Sequence, residues 1–274
     1  MKNNYPTIKG FTKRNIERMI QFYSTYKDDE IATPLVTQLS WTNNLLILSG
    51  AKSKEERQFY LKLSIKNNYS KRELDRQISS AYYERYMLSD GKQLPPVNKT
   101  VDEDDYPNTR ILDTYSLEFL DLPNEFSEND LKNAIIKNLK DFILEVGKDF
   151  TFIGDEYRVQ VGKHDFFIDL LFYNRELSCL VAFELKLGEF KAEYLGKMNL
   201  YLEALDRDVK KENENPSVGI ILCSSKDEDV VEYSISKNMS QTMISEYKLK
   251  LIDKKLLENK LGEMKKILEI EKQV

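Results

Sequence analysis

The sequence predicts an α/β (α+β) protein in which a helical N-terminal domain precedes a domain with a mixed sheet flanked by helices. Apolar residues in the first third of the 274-residue chain recur at helical spacing. A stretch rich in proline and acidic residues follows, and from Phe150 onward the apolar residues adopt strand-like spacing. We therefore expect a helical domain at residues 1 to 90, a linker at 91 to 108 and a second domain at 109 to 274.

The clearest N-terminal helix is predicted within NYSKRELDRQISSAYYERYMLSDG, residues 68 to 91. Ser70 is placed to cap its start, Glu73 completes a capping box three residues later, and Gly91 follows its end. The upstream segments TKRNIERMIQFYSTY and SKEERQFYLKLSIKN repeat the helical pattern. Three or more short helices joined by turns would form a compact all-helical or winged-helix-like unit.

This helix contains basic and aromatic side chains, namely Lys71, Arg72, Arg76, Arg85, Tyr82, Tyr83 and Tyr86. Basic residues along a helix face, with aromatic rings between them, are suited to contacts with a nucleic-acid backbone. The N-terminal domain is therefore a candidate nucleic-acid-targeting domain, with Arg72, Arg76 and Arg85 as contacts. A solvated helix face is the alternative, because nearby acidic residues dilute the positive charge.

The second domain is predicted to begin with a helix in SENDLKNAIIKNLKDFILEVG, which starts near Ser127 and ends at Gly147. Antiparallel strands follow in FTFIG, EYRVQVG, DFFIDLLFYN and SCLVAFELKLG. A helix in KAEYLGKMNLYLEALDRDVKK, a strand in SVGIILCSS, a helix in DEDVVEYSISKN and a basic tail complete the chain. This order of elements fits a mixed sheet with helices on its faces.

Composition limits the classes of function. A net charge of -5 argues against a uniformly basic nucleic-acid binder, so any nucleic-acid contact must be local. The apolar runs are shorter than the roughly 20 residues of a membrane helix, and no secretory segment opens the chain, so we expect a cytoplasmic protein without a membrane span. Cys179 and Cys223 lie in apolar runs without a second cysteine or histidine at ligand spacing, which favours buried thiols over a disulfide or zinc site.

Two carboxylates and a lysine interrupt the apolar stretch FFIDLLFYNRELSCLVAFELK, residues 166 to 186. Alternate residues share a face of a strand, so Glu184 and Lys186 point the same way. If the two strands form a hairpin, Asp169 lies opposite or beside Glu184, with Cβ atoms roughly 5 Å apart. Like charges so placed destabilise a sheet unless a cation lies between them.

A divalent metal would remove this conflict. Carboxylate oxygens select Mg²⁺ or Mn²⁺, and Mg²⁺ commonly keeps positions for water and a substrate phosphate. Lys186 would then place an ammonium near the attacking water and the scissile phosphate. The alternative is a half-exposed hairpin whose charged residues face solvent, although the near-continuous apolar runs favour strands buried on both faces.

An acidic residue on a helix, an Asp in one strand and Glu-x-Lys in the next resemble the PDDEXK, or restriction-endonuclease-like, nuclease superfamily. The longer string IDLLFYNRELSCLVAFELKLGEFKAEYLGKMNLYLEALD resembles the YhcG-type nucleases. GFTKRNIERM, QLSWTNNLLIL, ERQFYLKLSIKNNYSKRELDRQI and YSLEFLDL resemble that family's N-terminal domain and its junction. The resemblance covers nearly the whole chain and implies a restriction-endonuclease-like three-layer domain with a central mixed sheet.

The resemblance also implies roles for individual residues. Asp169, Glu184 and the backbone carbonyl of Leu185 would hold the metal, and Lys186 would be the catalytic lysine. Glu145 matches the helical acidic position of the superfamily and joins the expected catalytic set, with an exposed charge near a helix end as the alternative. Lys197 and Tyr201 match the positions of a Gln-xxx-Tyr pattern. Lys197 departs from this pattern and could contact phosphate instead. Both Lys197 and Tyr201 are candidates for nucleic-acid contact.

These features predict a metal-dependent nuclease that hydrolyses phosphodiester bonds in nucleic acid, with DNA preferred and with DNA repair, recombination or defence as its setting. A catalytically silent nucleic-acid-binding or interaction protein with the same fold is the alternative. Family members commonly have a helical segment before the stretch resembling GFTKRNIERM, so the resemblance implies a shortened N-terminal domain. That expectation favours a third possibility, a recombination or defence accessory whose activity depends on a missing partner. A homo-oligomer or a protein partner is among the expected partners.

Overall fold

The structure is a computed structural model that describes residues 11 to 89, 111 to 235 and 241 to 271. The predicted linker at 91 to 108 lies outside the described residues. The chain divides into two compact units, Met1–Ser79 and Ser80–Val274, which we call the N-terminal unit and the C-terminal unit. None of the helices in the described ranges combines the length and apolarity that crossing a membrane requires.

The described part of the N-terminal unit consists of helices joined by short turns: α1 Lys13–Tyr26, α2 Ala32–Val36, α3 Trp41–Gly50, α4 Lys54–Asn67 and α5 Lys71–Ser79. Hydroxyl side chains cap several of these helices, because Thr12, Ser40 and Ser53 each accept a hydrogen bond from a first-turn backbone N–H. No strand occurs between residues 11 and 79. Residues 11 to 79 therefore have the expected all-helical structure. They do not contain the β wing of a winged helix.

The long helix predicted from Ser70 is two helices. The capping box is present, because Ser70 Oγ accepts from the N–H of Glu73 and the Glu73 carboxylate accepts from the N–H of Ser70. However, α5 ends at Ser79, and α6, Tyr82–Leu88, belongs to the C-terminal unit. Buried Ala81 between them has a φ of 54°, in the left-handed region that ends helical hydrogen bonding. The continuous apolar spacing of this segment gives no sign of the break.

The C-terminal unit alternates helices and strands. After α6, its elements are β1 Thr114–Ser116, a 3₁₀ turn Glu118–Leu120, α7 Glu128–Lys137, α8 Leu139–Val146, β2 Phe150–Val161, β3 His164–Asn174, β4 Cys179–Leu185, α9 Glu193–Asp208, β5 Val218–Cys223, α10 Glu228–Ile235, β6 Thr242–Lys248 and α11 Lys254–Glu271. The helix predicted from Ser127 to Gly147 is interrupted at Asn138, whose φ and ψ of -108° and 31° are not helical.

The six strands form one mixed sheet in the order β1-β6-β5-β4-β3-β2. Strands β2, β3 and β4 pair antiparallel, whereas β4, β5, β6 and β1 pair parallel. The segments FTFIG and EYRVQVG form a single strand, β2, with a register shift between Phe152 and Gly154. Strands β1 and β6 were not predicted. The mixed sheet expected from the order of elements is confirmed.

Helices cover both faces of the sheet at its centre. On one face, Phe142 of α8 packs against Phe172 and Phe183, with ring centroids 5.9 and 5.7 Å apart. On the other face, Leu171 and Ala182 stand opposite each other and belong to the same core cluster as apolar residues of α9. The C-terminal unit is therefore a three-layer domain. All seven residues of β4 are buried, so the alternative of a half-exposed hairpin is wrong.

Candidate active site

The structure brings Asp169 and Glu184 to neighbouring positions on adjacent strands. Leu170 pairs with Phe183, and one further step in this antiparallel register sets Asp169 against Glu184. Asp169 Oδ2 also accepts a hydrogen bond of 2.8 Å from the backbone N–H of Leu185. Glu184 is only 1% exposed, and Asp169 is half-buried. Two carboxylates thus meet between the middle of β3 and the end of β4, where they are largely screened from water.

The environment of this pair disfavours two negative charges. Burial raises the pKa of Asp169 above its usual value, and the negative charge of Glu184 raises it further. The hydrogen bond from Leu185 and the charges of Lys186 and Lys197 oppose these effects without cancelling them. The carboxyl group of Asp169 therefore holds its proton more tightly than a solvated aspartate does.

Two lysines converge on one oxygen of Glu184. Lys186 Nζ lies 2.9 Å and Lys197 Nζ lies 2.6 Å from Glu184 Oε1. Burial lowers the pKa of both ammonium groups. The hydrogen bonds and charges of Glu184, together with those of Glu128 at Lys186 and of Tyr201 at Lys197, outweigh burial, so both pKa values lie above the usual value for lysine. The other oxygen, Glu184 Oε2, is buried and has no hydrogen-bond partner among the described residues.

Lys186 also contacts a residue that the sequence analysis missed. Its Nζ lies 3.1 Å from Glu128 Oε2 and 5.6 Å from the centroid of the Tyr194 ring. Glu128 is the first residue of α7, a helix that packs against β4. The Ser127 cap signals where this helix begins, but only the tertiary packing of α7 on the sheet brings Glu128 to the lysine.

Tyr201 supports the site from α9. Its buried hydroxyl donates a hydrogen bond of 2.5 Å to the backbone carbonyl of Phe167 in β3, and Lys197 Nζ lies 5.3 Å from the centroid of its ring. Lys197 and Tyr201 are one helical turn apart, so the same helix face contacts both β3 and Glu184. The structure therefore brings both residues to the carboxylates.

Glu145 and Arg85 form a buried ion pair in the C-terminal unit. Glu145 is 0% exposed and Arg85 is 2% exposed, and their charged groups are in direct contact. Glu145 also accepts from the N–H of Ser116 at 2.7 Å, and Arg85 donates to the backbone carbonyls of Ser80 and Thr114. The alternative of an exposed charge at Glu145 is wrong, because the side chain links α8 to β1 and α6.

Arg85 must also be removed from the expected nucleic-acid surface, because a buried guanidinium cannot reach a phosphate. The neighbouring tyrosines of α6 are buried as well, which removes the expected aromatic component of that surface: Tyr82, Tyr83 and Tyr86. On α5, Lys71 and Arg72 are exposed and Arg76 is half-buried. The basic surface expected along one helix is therefore reduced to α5.

The residues present fit a divalent metal. Within the described ranges, no set of three or more histidine, cysteine, aspartate or glutamate side chains is arranged to hold a metal ion. Mg²⁺, however, commonly binds through one or two carboxylates and completes its shell with water, and Glu184 Oε2 is a buried oxygen without a partner in the described structure. Cys179 and Cys223 are buried free thiols, as predicted.

Comparison with known proteins identifies the family of the chain. Residues 108–262 match the family model described as the YhcG PDDEXK nuclease domain, and residues 1–85 match the DUF1016 N-terminal domain. The chain is 31% identical to the "Putative nuclease YhcG" of Escherichia coli (strain K12) over 294 residues, which covers 95% of this chain and 77% of that protein.

A solved structure, a repair endonuclease from Pyrococcus abyssi, is 18% identical with a TM-score of 0.32, and the match covers 48% of this chain and half (50%) of that one. A likeness at this TM-score adds no weight to either fold or function. The nuclease-domain model, in contrast, spans more than half of the chain, and the Escherichia coli relative matches nearly all of it. The chain therefore belongs to the YhcG family of PDDEXK nucleases with a DUF1016 N-terminal domain.

Proposed function

We propose that this member of a nuclease family is a divalent-metal-dependent enzyme that hydrolyses phosphodiester bonds in DNA. Asp169, Glu184 and the carbonyl of Leu185 would bind Mg²⁺ or Mn²⁺. Lys186 would act in the chemical step. DNA is preferred over RNA on the family resemblance, which also suggests DNA repair, recombination or defence as its setting.

The observation that carries this proposal is the unpartnered Oε2 of Glu184 beside Asp169. A buried oxygen without a hydrogen bond costs about 1 to 3 kcal/mol, more when it is charged. The raised pKa of Asp169 has the same origin, since burial and a second carboxylate both disfavour its ionised form. A cation between the two carboxylates would relieve both costs. Lys186 and Lys197 neutralise only one of the oxygens, Glu184 Oε1.

Some residues of the site would bind the metal and the substrate, and Lys186 would act in the chemical step. A bound divalent metal would lower the pKa of a water ligand and neutralise charge on the phosphate. Lys186, held between Glu184 and Glu128, would place its ammonium at the phosphate, where it stabilises the negative charge that develops during cleavage. Lys197 would hold Glu184 in place from α9, and Tyr201 would anchor β3 through the Phe167 carbonyl. Lys197 would also face the phosphate backbone of a bound substrate.

A second candidate function is a silent nucleic-acid-binding protein with the nuclease fold. One observation favours it, because Lys186 and Lys197 already neutralise Glu184 Oε1. Two ammonium groups at one carboxylate oxygen would also oppose the approach of a metal cation to that oxygen.

Cleavage of a labelled substrate panel separates these two functions. Purified full-length protein would be incubated with duplex, single-stranded and branched DNA and RNA, each with Mg²⁺, with Mn²⁺ and with chelator. The proposed function predicts cleavage of DNA that requires metal and stops with chelator. Binding without cleavage under every condition would favour the silent protein instead, and cleavage of RNA alone would reject the proposed substrate.

We further propose that α5 of the N-terminal unit contacts phosphates. Arg72 is exposed and Arg76 is half-buried, so their replacement by alanine should weaken binding to all DNA sequences alike. The slope of log K against log salt concentration should fall by about one unit for each lost contact. Equilibrium binding at several salt concentrations measures this slope.

Arg14 provides a matched control, because it is an exposed arginine on α1 of the same unit. Arg14→Ala removes one positive charge and should leave the salt slope unchanged. Equal slopes for the parent, the Arg14 variant and the α5 variants would mean that α5 is a solvated helix face that does not contact DNA phosphates.

We also propose a cytoplasmic location, supported by the free thiols of Cys179 and Cys223, since disulfides form mainly in oxidising compartments. We propose in addition that the chain acts as a homo-oligomer or with a protein partner. Sedimentation of the purified chain measures the oligomeric state directly.

A further inference from the structure

A second feature of the C-terminal unit lies beside the candidate active site. A pocket of about 620 Å³ opens at the carboxyl ends of three neighbouring strands. Its lining includes Leu187 after β4, Ser224 after β5 and Lys248 at the end of β6. The region outside the carboxyl ends of parallel strands is a common place for ligands in α/β sheets.

The pocket and the active site share their supporting residues. Leu187 follows Lys186 in the chain, and Ser224 Oγ donates a hydrogen bond of 2.7 Å to the Leu187 carbonyl. Phe126, another lining residue, lies two positions before Glu128, whose carboxylate contacts Lys186 at 3.1 Å. The charge of Glu128 also acts on Tyr247 of the pocket lining, so the pocket and Lys186 have Glu128 as a common neighbour.

The chemistry of the walls is mixed. Leu257 and Phe126 provide apolar surface, and Tyr247 is only 3% exposed. The hydroxyl of Tyr247 is buried without a hydrogen-bond partner in the described structure. Burial, followed by the effects of Cys223 and Glu128, raises the pKa of Tyr247 to about 12, so this hydroxyl stays protonated and can donate at neutral pH.

The lining residues also make the pocket positive. Lys248, Lys250 and Lys260 line it, and Lys250 and Lys260 are exposed. The lining also includes the acidic residue Glu246. Its Oε2 lies 2.8 Å from Lys248 Nζ, so it neutralises the charge of one of the three lysines. Apolar walls, a buried donor and exposed ammonium groups together match a ligand with a flat ring and an attached phosphate.

We infer that this pocket receives one unpaired nucleotide of the substrate strand, adjacent to the phosphate that is cleaved. The inference rests on the proposed function and deepens it, because it assigns the enzyme to DNA with an unpaired nucleotide beside the cut. The base would lie against Phe126 and Leu257 and accept a hydrogen bond from Tyr247, while Lys250 and Lys260 would contact flanking phosphates. A base held in a duplex cannot enter such a pocket without first leaving its stack.

Competing occupants fit less well. A purely apolar peptide segment would leave Lys250 and Lys260 without partners, and a duplex is too wide for a pocket of this size. A volume of about 620 Å³ lies within the range that holds single small molecules, roughly 300 to 1,000 Å³.

Equilibrium binding to two DNA duplexes that differ by one central unpaired nucleotide tests the inference. Fluorescence anisotropy of the labelled DNA measures binding to the full chain. Chelator is present to prevent cleavage, so the result does not depend on turnover. The parent is expected to bind the duplex with the unpaired nucleotide about fivefold or more tightly, on the scale of stacking one base. Tyr247→Phe should lower this ratio by about threefold, on the scale of one hydrogen bond.

Leu257→Trp should place an indole ring where the base is proposed to lie and bring the ratio close to one. Lys255→Ala, an exposed lysine of the same helix that does not line the pocket, should keep the parent ratio. If Leu257→Trp fails to fold, as judged by circular dichroism, the conservative Tyr247→Phe variant still decides the question. A parent ratio of one, or a ratio that both pocket variants leave unchanged, overturns the inference.

The substrate panel described above distinguishes this failure from failure of the proposed function. Metal-dependent cleavage together with a binding ratio of one would keep the nuclease and reject the nucleotide pocket. A ratio that responds to both pocket variants, without cleavage of any substrate, would support the pocket as a binding site and reject the enzyme.

Discussion

Replacement of Lys186 by alanine should slow DNA cleavage by about a hundredfold or more, which is the usual scale for loss of one group that stabilises a transition state. The ammonium of Lys186 lies between Glu184 and Glu128, and under the proposed function it would face a phosphate held by a metal at Asp169 and Glu184. Its removal should therefore act mainly on the rate and leave most of the DNA and Mg²⁺ affinity intact. Single-turnover cleavage, with binding measured in parallel, separates these quantities.

Lys191 provides the control for charge, because it is an exposed lysine five residues further along the chain. Lys191→Ala should cleave at the rate of the parent. If Lys186→Ala also cleaves at that rate, Lys186 has no role in the chemical step. An equal loss in both variants would instead point to a general effect of positive charge on substrate binding.

Replacement of Arg85 by methionine should lower the free energy of unfolding by about 3 to 5 kcal/mol, because it leaves the carboxylate of Glu145 buried without its ion-pair partner. The double variant with Glu145→Met should recover part of this loss, since no unpaired charge then remains. Urea unfolding measures each value from the midpoint and slope of the transition.

Arg207 is a suitable control for this experiment, because its pair with Glu203 joins two exposed side chains one helical turn apart. Arg207→Met should change the free energy of unfolding by less than about 1 kcal/mol. A comparable small change for Arg85→Met would mean that the buried pair is not needed to hold α6, β1 and α8 together.

The sequence predicts the sheet well where its patterns are local. Strands β3 and β4 are long apolar runs separated by a short polar break, so both the strands and the register that joins Leu171 to Ala182 follow from residue spacing. The adjacency of Asp169 and Glu184 follows from the same register. The family resemblance then supplies the three-layer arrangement that covers both faces.

The features that the sequence does not predict depend on tertiary contacts. Ala81 adopts a left-handed conformation that an alanine rarely shows, and its apolar character matched the predicted helix instead of a break. Glu145 looks like a charge near a helix end, but Arg85, 60 positions earlier, reaches it only in the folded chain. Glu128 likewise meets Lys186 across a sequence separation of 58 residues.

Calorimetric titration of the purified chain with Mg²⁺ or Mn²⁺ tests most directly whether Asp169 and Glu184 hold a divalent metal. The account predicts saturable binding by the parent and by Asp165→Ala, a control on the same strand whose carboxylate pairs with Arg158 at the surface. Asp169→Ala should abolish this binding, because it removes one of the two carboxylate ligands. Equal metal binding by the parent and by Asp169→Ala would contradict the account.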